Sequence, residues 1–178
     1  MMMSDILPLV FPNDARYKPV EFNFEDPIQD PVELADQLWK NMVHYNGVGL
    51  SANQVGINAS VFVMGKDDFR LNVFNPQILT FGHEMTHMKE GCLTWPGLFC
   101  SIRRPKDIVV SYYDEKNENH KMRFEGMTAR IFLHEYDHML GYDFTQRASK
   151  LALDRGVKAR DKKIKKMLRE GKLVRNVA

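Results

Sequence analysis

Residues 126–141 run Gly126-Met127-Thr128-Ala129-Arg130-Ile131-Phe132-Leu133-His134-Glu135-Tyr136-Asp137-His138-Met139-Leu140-Gly141. Met127, Ile131, His134 and His138 recur at helical spacing and fall on one face, so this stretch predicts a helix with two imidazoles one turn apart. Side chains four apart on a helix lie roughly 6 Å from each other, close enough for His134 and His138 to share one metal ion. Glu135 between them can reach a water on that ion without ligating it. The same spacing also suits an ordinary helix with two histidines and a helix-stabilising glutamate. A further ligand is needed to decide.

Upstream of this helix the chain is strand-like. Ala59–Met64, Leu71–Phe74 and Ile108–Tyr113 are short β-branched and aromatic runs bounded by Gly, Asp, Asn and Pro. Lys116-Asn117-Glu118-Asn119 predicts a hairpin turn into a strand at His120–Phe124. A first helix begins at Asp30-Pro31-Val32-Glu33, with an N-cap, a proline at the first helical position and a capping-box glutamate. Its stripe is Leu34, Leu38 and Met42, and it ends at Tyr45-Asn46-Gly47. Residues 5–29, rich in Pro, Asn and Asp, form an extended arm. A last amphipathic helix is expected over about 147–170, with Leu151, Ile164 and Leu168 among basic residues. Strands followed by packed helices indicate an α+β fold.

The chain has 178 residues, 44% hydrophobic and 27% charged, which suits one globular domain over 1–178 and excludes disordered and membrane-spanning classes. No apolar run approaches the roughly 20 residues of a bilayer helix. Met1 to Pro8 lacks a basic region and a long apolar stretch, which argues against a secretory signal. Two cysteines, Cys92 and Cys100, are too few for a disulfide scaffold, so a reducing, cytoplasmic setting is expected. The net charge of +2 hides an asymmetry. Residues 147–175 carry twelve Lys/Arg and three Asp/Glu, whereas thirteen basic and twenty acidic side chains precede them. An acidic body with a basic tail is a pattern of interaction tails.

His83-Glu84-Met85-Thr86-His87 repeats the HExxH spacing. Gly82 and Thr86 are poor helix residues among β-type runs, and four residues of strand span about 13 Å, too far for one ion. In the extended metalloprotease pattern the third ligand lies six residues past the second histidine, and here that position is Phe144. The only glutamate after His138 is Glu170, inside the basic tail. The third ligand is therefore sought upstream, where Cys92 as a thiolate would match zinc or ferrous iron beside two imidazoles. A lone Cys92 reads better as a buried structural thiol, and the His pair reverses that.

Three segments now stand in order: Gly47-Val48-Gly49-Leu50-Ser51-Ala52-Asn53-Gln54, Glu90-Gly91-Cys92-Leu93-Thr94, and Leu133-His134-Glu135-Tyr136-Asp137-His138-Met139-Leu140-Gly141. Together they resemble the GxGLAAxQ, EGCLS and QHExDHLxG motifs of the peptide deformylases, and the resemblance spans roughly residues 5–170. Ser51 stands for the first alanine, Thr94 for the serine, Leu133 for the glutamine and Met139 for the leucine. None of these removes a ligand or the acid/base. Thr94 and Leu133 bear on the support of the metal. Trp95, beside Pro96, Leu98 and Phe99, is either core packing or a rim that grips substrate.

The resemblance implies an α+β fold of small antiparallel or mixed sheets around a central HExxH helix, with an N-terminal helix and a basic C-terminal helix. It implies hydrolysis of the formyl group from the N-terminal formylmethionine of nascent chains, with release of formate. Cys92, His134 and His138 would hold one divalent metal, Fe²⁺ by family habit, with Zn²⁺, Ni²⁺ or Co²⁺ able to occupy the site. Glu135 would be general base and acid to the hydroxide generated there, and Gln54 with the Leu93 N–H would stabilise the oxyanion. Val48, Gly49 and Gly91 would pair with the peptide main chain. Met127 and Ile131, one to two turns before His134, would wall the methionine pocket, although the same stripe must pack the helix. The basic helix is either a solvated face or a ribosome-binding element; DNA and membranes are not expected partners. Two alternatives remain at this stage, a zinc endopeptidase on the same helix and a non-catalytic RNA- or ribosome-binding protein.

Overall fold

The computed structural model describes residues 6–66 and 68–172. The leading methionines and Arg175 of the basic tail lie outside these. Helix α1, Pro31–His44, starts where the sequence predicts: the Asp30 carboxylate accepts from the Val32 and Glu33 N–H groups, and Pro31 occupies the first turn. Leu34, Leu38 and Met42 are buried as one stripe, joined by Ala35 and Trp39. The chain leaves through Asn46 at φ 56°, a left-handed turn that asparagine tolerates.

Strands β1 (Gly49–Ser51), β2 (Val61–Lys66), β3 (Phe69–Phe81), β6 (Asp107–Tyr113) and β7 (Asn119–Glu125) form an antiparallel sheet in the order β1-β2-β3-β6-β7. Strands β4 (Met85–Gly91) and β5 (Phe99–Pro105) form a separate antiparallel pair. Helix α2, Gly126–Met139, touches strands of both sheets. Its position explains the unbroken apolar run of β2. Val61 and Val63 face α1, with Leu38 and Met42, while Phe62 and Met64 face α2, with Phe132 and Leu133. A strand buried on both faces shows no polar alternation.

Several expectations change. The strand expected at Leu71–Phe74 runs from Phe69 to Phe81, bent by register shifts around Asn75, which sits at φ 49°. The strand expected at Ala59–Met64 begins at Val61. Of the two histidines of the second HExxH only His87 lies on a strand, since β4 begins at Met85. Strand β5 has no counterpart among the sequence expectations, although it buries Cys100, Ile102 and Arg104 in strict alternation. The last helix, α3, spans Lys150–Arg169, capped by the Ser149 hydroxyl, and residues 144–146 are a separate 3₁₀ turn. Its packed face is also different: Leu153, Gly156 and Val157 lie against β5, while Leu151 (59% exposed) and Ile164 (38%) face outward. A Cβ on Gly156 would sit 2.5 Å from the Phe99 carbonyl oxygen, so glycine sets the approach of α3 to β5. Among the described residues no helix is long and apolar enough to cross a membrane.

Candidate active site and metal centre

The C-terminal half of α2 presents His134 and His138 with ring centroids 5.4 Å apart. Cys92 comes from the turn that follows β4, closed by the Trp95 N–H donating to the Cys92 carbonyl at 2.9 Å. Its Sγ lies 3.4 Å from His138 Nε2, and one ligand atom from each of Cys92, His134 and His138 lies within 4.8 Å of the others. The structure thus joins the three residues picked from sequence as metal ligands. Burial would push the Cys92 thiol up, but the His138 and His134 imidazoles beside it hold it well below its ordinary value. Phe144, where an extended metalloprotease motif would place its third histidine, is fully buried with its ring 6.0 Å from that of His134.

Glu135 is 3% exposed, and burial raises its carboxyl above the ordinary range despite the nearby imidazoles and the Ser51 hydroxyl. Ser51 Oγ donates to Glu135 Oε2 at 2.7 Å. Gln54 lies in the 3₁₀ turn that follows β1. Its Oε1 accepts from the Ser51 N–H at 3.0 Å, and its Nε2 donates to Cys92 Sγ at 3.2 Å. The amide therefore has both a local backbone partner and a place beside the candidate metal ligand. Thr94 Oγ1 is 3.2 Å from Cys92 Sγ, so the hydroxyl expected from a serine there is kept. Leu133 packs in the core and offers only its carbonyl, to Arg104 Nη1.

Behind the ligands lies a buried ionic network that sequence reasoning missed. Glu90 Oε2 pairs with His134 Nδ1 at 3.0 Å. Arg104 donates to both Glu90 oxygens at 2.7 and 2.9 Å and to Asp137 at 2.8 Å. Arg130 donates to Glu90 Oε1 at 2.8 Å. The hydrogen bond to the His134 ring and the Arg104 guanidinium hold the Glu90 carboxyl, which burial alone would raise, far below its usual value. With Nδ1 engaged by Glu90, His134 turns its Nε2 to the cluster. His138 Nδ1 is buried with no hydrogen-bond partner among the described residues.

A cavity of ≈ 610 Å³ opens on this cluster. Val48, Gly49, Gly91, Met127 and Ile131, the five residues expected to bind substrate, all line it, and so do Gln54, Leu93 and Glu135. Trp95 is half-buried on the same wall, its Nε1 donating to Asp143 at 3.1 Å, so it belongs to the rim as well as to the packing.

A thiolate completing an HExxH pair, with a buried carboxylate at the wall of an apolar cleft, defines a metal-dependent hydrolase on an α+β scaffold. Residues 14–154 match the family model for polypeptide deformylase. A peptide deformylase of Thermotoga petrophila is 40% identical over 134 residues, 75% of this chain and 79% of that one. The crystal structure of a peptide deformylase from Synechococcus elongatus in complex with actinonin superposes with a TM-score of 0.79 at 27% identity, covering 89% of this chain and 88% of that one. A Met-Ala-Ser-bound peptide deformylase from Acinetobacter baumannii gives a TM-score of 0.75 at 28% identity, covering 82% of this chain and 99% of that one. The chain belongs to the polypeptide deformylase family.

Proposed function

We propose that this chain removes the formyl group from the N-terminal formylmethionine of nascent polypeptides and releases formate, with Cys92, His134 and His138 holding one divalent metal. One observation carries this: Cys92 and His134, with His138 beside Cys92, meet the Glu135 carboxylate at the wall of one apolar cleft. The donor set fits such an ion, because a thiolate and two imidazoles suit a borderline-soft divalent metal and the thiol is already biased to its anionic form. When bound, a divalent metal lowers the pKa of a water towards ~7 and polarises a carbonyl oxygen.

The remaining work falls to side chains. Glu135 takes a proton from the attacking water and passes it to the leaving amine as the formyl C–N bond breaks, which leaves formate and a free methionine amine. Negative charge grows on the formyl oxygen, and Gln54 Nε2 with the Leu93 N–H are its donors. Val48, Gly49 and Gly91 pair with the extended peptide, and Met127 and Ile131 wall the pocket for its unbranched side chain. We assign ferrous iron as the native metal, 1–178 as one catalytic domain, and the cytoplasm as its place of work. The exposed basic face of α3 supports a ribosomal contact in addition.

The test is formate release from a short formyl-Met peptide by anaerobically prepared ferrous protein, with Glu135→Ala as control. Release that disappears in the variant is the expected result. Release that survives it overturns the role of Glu135, and no release by metal-loaded wild-type protein overturns the activity.

A further inference from the structure

We infer that Ser51 is a positioning residue for Glu135, locking its carboxylate in the working orientation through a hydrogen bond from the side-chain hydroxyl. This rests on the reading of Glu135 as general base and acid. Three observations meet at this point. Ser51 Oγ donates to Glu135 Oε2 at 2.7 Å in a fully buried contact. Gly49, two residues earlier on β1 and so on the same face, lies against the other oxygen: a Cβ there would be 2.3 Å from Oε1. The Ser51 N–H, meanwhile, holds Gln54 Oε1 at 3.0 Å. One short strand, fixed by pairing Ser51 with Phe62 and Gly49 with Met64, thus grips both carboxylate oxygens and sets the amide of Gln54.

Ser51 stands where the motif quoted above has alanine, a residue with no hydroxyl to donate. A carboxylate pivots about its last torsion between broad, roughly two-fold minima. A donor on one oxygen with a glycine against the other leaves it one orientation. Side chains that transfer protons lose rate steeply when misaligned, whereas substrate affinity does not depend on that alignment. The hydroxyl therefore acts on kcat and leaves KM alone.

Steady-state deformylation of formyl-Met-Ala-Ser tests this, with iron-loaded wild type, Ser51→Ala, Ser51→Cys, and Ser51→Ala combined with Glu135→Asp, all at matched metal content. Ser51→Ala is expected to lower kcat about 10-fold, the scale of a lost hydrogen bond to a charged group, with KM within about twofold and a modestly lower Tm, because the same hydroxyl caps the 3₁₀ turn at Ala52–Val55. Ser51→Cys, of similar volume but a weak donor, is expected to be equally slow. In the Glu135→Asp background, whose shorter carboxylate no longer meets the hydroxyl, Ser51→Ala is expected to cost less than about twofold. Unchanged kcat in Ser51→Ala overturns the inference. So does full rescue by Ser51→Cys, a fall shared with KM or metal content, or a full 10-fold cost in the Glu135→Asp background. Absence of formate release by wild type strikes the functional reading itself, and the inference falls with it.

Discussion

At Gly49 the backbone runs so close to Glu135 that any side chain displaces the carboxylate, since the nearest oxygen would be 2.3 Å from a Cβ. Gly49→Ala is therefore expected to lower kcat about 10- to 100-fold by misplacing the acid/base. Circular dichroism and metal content should stay near wild type, and a kcat within about twofold would show that Glu135 has room to move. Glu90 is a second single-residue test. It carries the charge that faces Arg104, Arg130 and His134 together. Glu90→Gln is expected to cost about 3–5 kcal/mol in urea unfolding, because the buried Arg130 loses its counter-charge and Arg104 keeps only Asp137. It should also weaken metal binding about 10- to 100-fold, measured by chelator competition, through loss of the His134 partner. The contrast between these residues and the metal cluster shows what a sequence exposes. His134, Glu135 and His138 were legible because one turn of helix fixes their geometry, whereas excluding downstream ligands made Cys92 only a suspect and the resemblance to the family motif gave it the role. The partners of Glu90 lie 14 and 40 residues away along the chain, and the hydroxyl of Ser51 meets a carboxylate 84 residues on. Tertiary pairings of that span leave no local spacing to read.

Between elements, the arm and the cleft are tied through Asp143. Its carboxylate accepts from Arg16 Nε at 2.8 Å, from Trp95 Nε1 at 3.1 Å and from the Thr145 N–H at 2.9 Å. Burial opposes ionisation there, but these donors prevail and depress the carboxyl below its ordinary 3.8. A depressed carboxyl stabilises the fold above its unfolded value and loses that contribution as pH falls through its folded value. Asp143→Asn is thus expected to lower stability at pH 7 by about 1–3 kcal/mol and to flatten the fall of Tm below about pH 4. Parallel Tm–pH curves for variant and wild type would refute it. The elements themselves were legible to unequal degrees. Helix α1 was plain because its cap, first-turn proline and apolar stripe all agree. Strand β5 was missed because its buried positions include Arg104, a charge that only the Glu90 and Asp137 carboxylates make tolerable. The packed face of α3 was missed because contact with β5 depends on Gly156, whose contribution is an absent side chain, while Leu151 and Ile164 point outward.

Over the whole molecule, charge is divided between an acidic body and the basic helix α3. Lys158, Lys162, Lys163, Lys165 and Lys166 are all exposed along that helix. The side facing the body is small and apolar, Leu153, Gly156 and Val157, so these lysines take no part in its packing against β5. The proposed ribosomal contact would use this one-sided charge, since a polyanionic surface binds such a face by releasing counterions. Reversing Lys162, Lys163, Lys165 and Lys166 to glutamate tests the proposed ribosomal contact apart from deformylation. Deformylation of a short formyl-Met peptide should be unchanged within about twofold, because none of the four lines the cleft. Co-sedimentation with ribosomes should fall steeply in the variant. In wild type it should weaken with added salt at a slope of about 0.7–0.9 per phosphate contact on logarithmic axes. Ribosome binding that neither responds to salt nor changes in the variant would make α3 a structural strut whose lysines serve solubility alone.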